Sequence, residues 1–549
     1  MELVPFRHWV VARADDDHTA LRFEDRAWSY REWVAACAQR AAFLLATRRE
    51  GPLHVGVLLE NVPDFSFWLG AAALAGGVVV GINPTRRGAE LARDVRHTDC
   101  QLIVTEPCHR PLLEGIDLGL PAARVLDVES AGYAAALATF AGAAIPDVAV
   151  AMSDLLLLLF TSGTSGAPKA VICTQGKWSI VSQTLAGNAG LSPNTIAYQV
   201  MPMFHSNALF VGFGPTIVAG GTAVLRRRFS ASNALPDIRK YGCNFMNYVG
   251  KPLSYILAQP PRDDDSDNPL RLAYGNEAAD LDIERFAKRF DTRVIDNYGS
   301  TETGATVIRV AETPKGALGR ADPATKVLDP ETGEECPVAV FDAEGRLANA
   351  EEAIGELVNT GGKALFEGYY KNDDADRQRL RDGMYWTGDL AYRDADGFLY
   401  FAGRDFEWLR VDGENFAAAP VERILARYPG VVLAAVYSVP DEEVGDQVMA
   451  ALQLAQPDRF DPADFDAFLA QQSDLGTKWS PRYVRATAAL PITQTSKPQK
   501  RQLRAERWEC AEPVFFRPAK GAPLRRMAAR DVADVRARFA ERGRESELR

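Results

Sequence analysis

The chain has 549 residues, 62 basic and 73 acidic, for a formal charge of −11. At roughly 150 residues per domain, that length allows three or four compact units or one large domain with an appendage. Its 47% hydrophobic and 25% charged fractions exclude disordered and fibrous classes, and the acidic balance argues against a general nucleic-acid binder, which needs clustered lysine and arginine.

The opening Met1-Glu2-Leu3-Val4-Pro5 lacks the basic-then-apolar pattern of a secretory signal. Ser29-Tyr30-Arg31-Glu32 reads as a capping box that starts a helix reaching Leu45. Apolar runs at 54–59, 77–82, 102–104 and 124–127 predict strands, and 62–75 a helix. The longest apolar stretch, 69–82, is about 14 residues and glycine-interrupted, too short to span a bilayer. Strands alternating with helices imply βαβ units and a parallel sheet. The pattern continues through 155–160, 222–225, 245–249, 272–274 and 294–297. Over 316–399 the segments become short and turn-rich, predicting a small antiparallel or barrel-like subdomain. Beyond Gly403 a shorter α+β unit begins, with 431–439 and 448–454 as paired strands around a polar turn. In the charged tail, Met527, Val535 and Phe539 are spaced for a weakly amphipathic helix, expected to be solvated or docked rather than in contact with a membrane.

The basic residues are lopsided, 13 lysines to 49 arginines, with the first lysine at 169. A lysine retained in such a chain is expected to do what arginine does not. Five of six histidines fall at or before His109 and His205 stands alone afterwards, so zinc clusters and an HExxH site are excluded. Seven scattered cysteines without a CxxC pair are expected to be reduced structural thiols in a cytosolic protein.

The strongest chemical signal is Thr161-Ser162-Gly163-Thr164-Ser165-Gly166-Ala167-Pro168-Lys169. Small residues let backbone N–H groups approach phosphate oxygens, hydroxyls donate, and the ammonium supplies charge. The spacing is not that of a Walker A loop, and the following Ala170-Val171-Ile172-Cys173 is strand-like rather than helical.

This loop resembles that of the AMP-forming adenylating enzymes: acyl-CoA synthetases, adenylation domains of peptide synthetases and firefly-type luciferases. The resemblance covers roughly 15–505, with further blocks in family order. Asn297-Tyr298-Gly299-Ser300-Thr301-Glu302 offers a ring for a purine at Tyr298, a hydroxyl for the α-phosphate at Thr301 and a hard oxygen ligand for Mg²⁺ at Glu302. Asp389, in Tyr385-Trp386-Thr387-Gly388-Asp389-Leu390, and Arg404 match the ribose contacts. Gly275-Asn276-Glu277 is similar to the adenine-floor segment, and Met201-Pro202-Met203-Phe204-His205 to the acyl-site motif. A His at 205, where amino-acid-activating members usually carry Asp, speaks against an amino-acid substrate. Leu209, Phe210 and Val211 are candidates for lining an acyl tunnel, or for core packing.

Lys497 matches the family's catalytic lysine, with Ser496 in place of the usual glycine, Pro498 following, and Lys500 as a nearby decoy. A point-charge ammonium there would bridge the substrate carboxylate and the α-phosphate. The block Trp408-Leu409-Arg410-Val411-Asp412-Gly413-Glu414-Asn415 resembles the segment after the interdomain hinge that helps form the CoA site, giving Arg410, Gly413, Glu414 and Asn415 as candidates. Phe406 occupies the hinge position usually held by Asp, Lys or Gly, so the hinge is at Asp405 or Glu407 instead, or rotates with different energetics.

Three stretches, 81–88, 247–253 and 274–277, look like the fatty-acid-transport-protein and very-long-chain acyl-CoA synthetase branch. The resemblance implies an α/β fold: a large N-terminal domain of doubly wound mixed and parallel sheets with a small barrel-like subdomain (1–402), a smaller mobile α+β domain (403–520) and a charged helical tail (521–549). It implies a cytoplasmic ATP-dependent fatty acyl-CoA ligase using ATP, CoA and Mg²⁺ on small-molecule carboxylates. No nucleic-acid partner or transmembrane segment is expected, while peripheral membrane contact stays open. The alternatives are an acyl-AMP ligase loading a carrier protein and a membrane-associated fatty-acid uptake protein.

Overall fold

The computed structural model describes the chain apart from residues 1, 162–168, 279, 331, 343–346, 405–407, 412–413, 443–445, 473–474, 476–477, 493–497, 520, 543 and 549. At 351, 404, 408, 410, 414–417, 420 and 546 it describes the backbone only. Two compact units result: Met1–Gly304 with Lys363–Arg381, and Ala305–Gly362 with Asp382–Arg549.

The first unit holds two largely parallel sheets. One orders its strands Arg293–Asp296, Leu272–Asn276, Phe245–Val249, Ile196–Gln199, Thr222–Leu225, Thr19–Phe23 and Arg26–Ser29, with only the last pair antiparallel. The other runs Val125–Asp127, Cys100–Thr105, His54–Leu58, Val78–Gly81, Leu155–Thr161 and Lys169–Thr174, again antiparallel only at the last pair. The predicted βαβ alternation is therefore present, with strand ends shifted by one or two residues.

Local chemistry accounts for the elements between the strands. The capping box is formed: Ser29 Oγ accepts from the Glu32 N–H at 3.2 Å, while the Ser29 N–H donates to the Glu32 carboxylate at 2.8 Å. This starts the helix Tyr30–Ala46. The helix Pro63–Ala75 begins on a proline and ends at Gly76, whose φ of 64° is the left-handed cap. Every residue from Phe65 to Ala75 is buried, so the long apolar stretch is an internal helix followed by an internal strand. No helix among the described residues is long and apolar enough to cross a membrane.

The edge strand Lys169–Thr174 is covered by a returning segment. Val171 bridges to Tyr369, the Ile172 N–H donates to the Gly368 carbonyl at 3.0 Å, and the Tyr370 N–H donates to the Ala170 carbonyl at 2.8 Å. Covering an edge in this way removes a template for unwanted strand pairing.

The second unit is mostly antiparallel. Thr325–Leu328, Gly355–Asn359, Met384–Arg393 and Leu399–Arg404 pair in succession, matching the antiparallel expectation for the turn-rich region. A further sheet orders Val431–Pro440, Asp446–Leu454, Tyr483–Thr487, Val514–Phe516 and Arg525–Arg526, its first pair being the predicted hairpin. The tail forms the helix Ala529–Glu541 and buries Val535 and Phe539 in the core against this sheet, with Met527 beside them. It is docked.

All seven cysteines are free, five of them buried. Burial pushes the thiols of Cys100, Cys173 and Cys243 up to about 12, which keeps them protonated and unreactive. One group of donors bears on the expected absence of metal clusters: Glu60, Cys108 and His109 place one ligand atom each within 4.8 Å of one another. A histidine count along the chain could not anticipate it, because strand packing brings residue 60 beside 108 and 109. Arg228 pairs with Glu60 and Arg227 with the adjacent Glu106, so the carboxylates are already balanced by cations.

Candidate active site

In the first unit the phosphate-loop candidates leave one strand and enter the next. Leu155–Thr161 and Lys169–Thr174 pair antiparallel up to Thr161 opposite Lys169, so the two ends of the loop are held side by side. Ser162, Gly163, Thr164, Ser165 and Gly166 lie outside the described residues. Lys169 is 6% exposed; its ammonium donates to Gln378 Oε1 at 3.2 Å and lies 5.2 Å from the centre of the Tyr369 ring. Burial, followed by the nearby Arg379 cation, holds its pKa below the usual lysine range.

Tyr369 joins two candidates. Its ring meets Lys169, and its hydroxyl donates to Glu302 Oε1 at 2.9 Å. Burial and the Glu302 carboxylate raise that hydroxyl's pKa well beyond the ordinary tyrosine range, so it stays a donor. Arg379 Nε donates to the same hydroxyl oxygen at 3.4 Å. Glu302 is buried, a hard carboxylate that suits a Mg²⁺ ligand. Thr301 shares a hydrogen bond of 2.6 Å with Ser206 Oγ, which brings the nucleotide candidates to the residue next to His205. His205 is half-buried, its ring centre 4.3 Å from that of Phe204.

Strand ends carry the base candidates. Asn276 ends Leu272–Asn276, and its Oδ1 accepts from Asn207 Nδ2 at 3.1 Å. Gly275 has no room for a side chain: a Cβ there would lie 2.2 Å from the Tyr248 carbonyl oxygen. Glu277 follows with φ of 68° and is exposed. Asn297, after Arg293–Asp296, donates its side-chain N–H to the Tyr274 hydroxyl at 2.6 Å, and its backbone N–H to Gly275 O at 2.9 Å. Tyr298 is half-buried and Gly299 exposed. The ends of parallel strands are where ligands bind in open α/β sheets. Leu209 and Phe210, offered as acyl-lining candidates, join the first unit's hydrophobic core.

In the second unit, Asp389 is 7% exposed in the strand Met384–Arg393, which also carries the buried aromatics Tyr385 and Trp386 and pairs with Leu399–Arg404. Asp389 and Arg404 are direct register partners across Met384–Arg393 and Leu399–Arg404. Thr387 Oγ1 accepts from the Asp389 N–H at 3.0 Å, and Glu356 Oε1 accepts from the Gly388 N–H at 2.6 Å. Arg410 pairs with Asn415, and Val411 with Glu414, in the hairpin Trp408–Val411/Glu414–Ala417. Gly413, Lys497 and the hinge candidates Asp405, Phe406 and Glu407 lie outside the described residues.

Sequence reading missed Tyr369, Arg379, Ser206 and Lys177. The last was within reach, since the lysine scarcity that marked Lys169 and Lys497 applies equally to it. The others are ordinary residue types brought to Glu302 and Thr301 by long-range contacts.

The AMP-binding enzyme model matches residues 6–370, and the AMP-binding enzyme C-terminal domain model matches 420–497. The steroid-22-oyl-CoA synthetase of Rhodococcus jostii is 47% identical over 548 residues, 99% of both chains. The medium/long-chain-fatty-acid–CoA ligase FadD17 of Mycobacterium marinum is 46% identical, covering 92% of this chain and 97% of its own. A more distant relative is the long-chain fatty acid transport protein 1 of Rattus norvegicus, 28% identical over 84% of this chain and 76% of its own. Among solved structures, ATP-bound MatB from Rhodopseudomonas palustris matches with TM-score 0.77 at 24% identity, over 92% of this chain and 99% of that one; at that identity the likeness is one of fold. With one family model matching 6–370, a second matching 420–497 and relatives at 46–47% identity over nearly the whole chain, this chain belongs to the AMP-binding enzyme family.

Proposed function

We propose that the protein is an ATP-dependent acyl-CoA ligase. It activates a medium- or long-chain fatty acid, or an acid carried on a steroid side chain, as acyl-AMP and then transfers the acyl group to CoA. Near-complete coverage of the steroid-22-oyl-CoA synthetase at 47% identity is the observation that carries this reading.

In the first step a substrate carboxylate oxygen bonds to the α-phosphorus as the bond to the β-phosphate oxygen breaks, releasing pyrophosphate. The Thr161–Lys169 segment would cradle the leaving phosphates, the Thr301 hydroxyl would donate to the α-phosphate, and Tyr298 would cover the adenine. Glu302 would hold Mg²⁺, whose charge offsets that of the phosphate oxygens. In the second unit, Asp389 would accept both ribose hydroxyls with Arg404 beside it, and Lys497 would neutralise charge building on the reacting oxygens. In the second step the CoA thiolate attacks the acyl carbon and AMP leaves, with Arg410, Gly413, Glu414 and Asn415 assigned to CoA. His205 would belong to the acyl site. The division of labour at 402/403 and 520/521, and a cytoplasmic location, belong to the same proposal.

The test is a pyrophosphate-release screen over straight-chain acids of graded length and a steroid side-chain acid, each with and without CoA. Release for any of these classes, with acyl-CoA formed only when CoA is present, supports the reading. Acyl-AMP that accumulates and never reaches CoA would redirect it to carrier loading.

A further inference from the structure

We propose that Lys177 is a positioning residue for adenylation: it clamps the turn carrying Thr301 and Glu302 to the strand that leaves the phosphate loop. The proposal rests on the ligase reading above and adds a residue that reading does not contain.

Lys177 is 2% exposed. Its Nζ donates to the carbonyls of Glu302 at 3.1 Å, Ile172 at 3.3 Å and Thr301 at 3.4 Å. An ammonium carries three N–H donors, and three carbonyls from two distant segments take them. The buried charge is thus solvated by backbone dipoles. Ile172 belongs to Lys169–Thr174, the exit arm of the loop, so a single cation ties together the two segments assigned to the phosphates and the metal.

The clamp is itself anchored. The Lys177 N–H donates to Thr174 Oγ1 at 3.1 Å at the start of the helix Gln175–Ala189. Thr174 is held twice by the Glu367 carboxylate, through its N–H at 2.8 Å and its hydroxyl at 2.7 Å. The turn needs such support. Thr303 has φ of 56°, a left-handed conformation that a β-branched residue rarely adopts. Its hydroxyl donates to the Glu302 carbonyl at 2.7 Å, so that carbonyl accepts from Lys177 and Thr303 together. The strained turn is held by its surroundings, as expected of strain at a working site. Arginine would not substitute, because five N–H groups in a flat fork do not match three convergent carbonyls.

The experiment measures pyrophosphate release by the full chain at saturating acid, with ATP and Mg²⁺ varied, for the wild type, Lys177→Met, Lys177→Arg, Glu302→Gln and the Met/Gln double variant. Lys177→Met is expected to lower kcat/KM for Mg²⁺·ATP by about 10- to 100-fold, leaving the KM for the acid within about twofold, and Lys177→Arg not to restore it. If the lysine acts through the turn, the fold-losses of Lys177→Met and Glu302→Gln do not multiply in the double variant. A folded Lys177→Met enzyme with wild-type Mg²⁺·ATP constants, multiplicative losses, or full activity in Lys177→Arg would each overturn the proposal. Should Lys177→Met fail to fold, Lys177→Gln, which keeps an N–H donor without charge, enters the same cycle under the same criteria. Absence of release by the wild type would instead overturn the ligase reading, since the clamp is read only from ratios to an active parent.

Discussion

The turn at 301–302 and the strand pair at 389 and 404 place their polar groups by different means. In the first unit, Glu302 is held by side chains from elsewhere: Tyr369 on its carboxylate, Lys177 on its carbonyl and Thr303 beside it. In the second unit, Asp389 is positioned by the register of an antiparallel ladder, opposite Arg404. A turn fixed by distant side chains is open to disturbance at each of them. A ladder position is fixed chiefly by strand register, which most point mutations leave in place, here with Thr387 and Glu356 adding side-chain acceptors for the Asp389 and Gly388 N–H groups. The same kind of chemical group therefore has different neighbours on which its precision depends.

The largest effect is expected at Lys497. Lys497→Ala should lower acyl-AMP formation by about 10³-fold, the scale of losing a charge-stabilising donor. Thioester formation from supplied acyl-AMP should be largely unchanged. Pyrophosphate exchange and acyl-CoA chromatography read the two steps separately, and equal loss of both would remove the assignment.

Glu302→Gln comes next, with a fall of about 10²-fold in kcat/KM for Mg²⁺·ATP and a lower melting temperature, because the turn loses a charged acceptor for the Tyr369 hydroxyl. An unchanged melting temperature would erase the contrast between the two regions.

Asp389→Asn sharpens it from the other side. The KM for ATP should rise about 10-fold, the worth of a hydrogen bond to a charged group, with a smaller change in melting than Glu302→Gln because strand register holds the position. A marked loss of stability would show that the strand position relies on its side chain after all.

The smallest effect is Tyr369→Phe. Removing one hydroxyl while keeping the ring beside Lys169 should cost about 1 kcal/mol, roughly fivefold in kcat/KM. The ratio to wild type should stay flat from neutral to mildly alkaline pH, since burial and the Glu302 carboxylate keep the hydroxyl protonated. A ratio that narrows with rising pH would place its titration lower.

Much of this architecture is legible in the sequence because its causes are local. The capping box at Ser29 and the apolar runs 222–225 and 245–249 become the elements they predict, Thr222–Leu225 and Phe245–Val249 included. Where strands run past the predicted ends, tertiary pairing is the reason. Leu272–Asn276 continues through Gly275 and Asn276, weak strand formers held opposite Tyr248 and Val249. The site residues missed are of another kind. Tyr369 meets Glu302 across 67 positions of chain, and Lys177 reaches the same residue across 125. No periodicity encodes such a meeting. The Glu60, Cys108 and His109 group escaped for the same reason, as a product of adjacent strands rather than of spacing.

The cover over the edge strand Lys169–Thr174 bears on how the protein can be cut. The first unit is not contiguous, because 368–370 supplies partners for Ala170, Val171 and Ile172, and Glu367 caps Thr174. A fragment ending at Gly304 would bare a hydrophobic strand edge and is expected to aggregate, so a soluble version of this unit has to splice 363–381 back onto it.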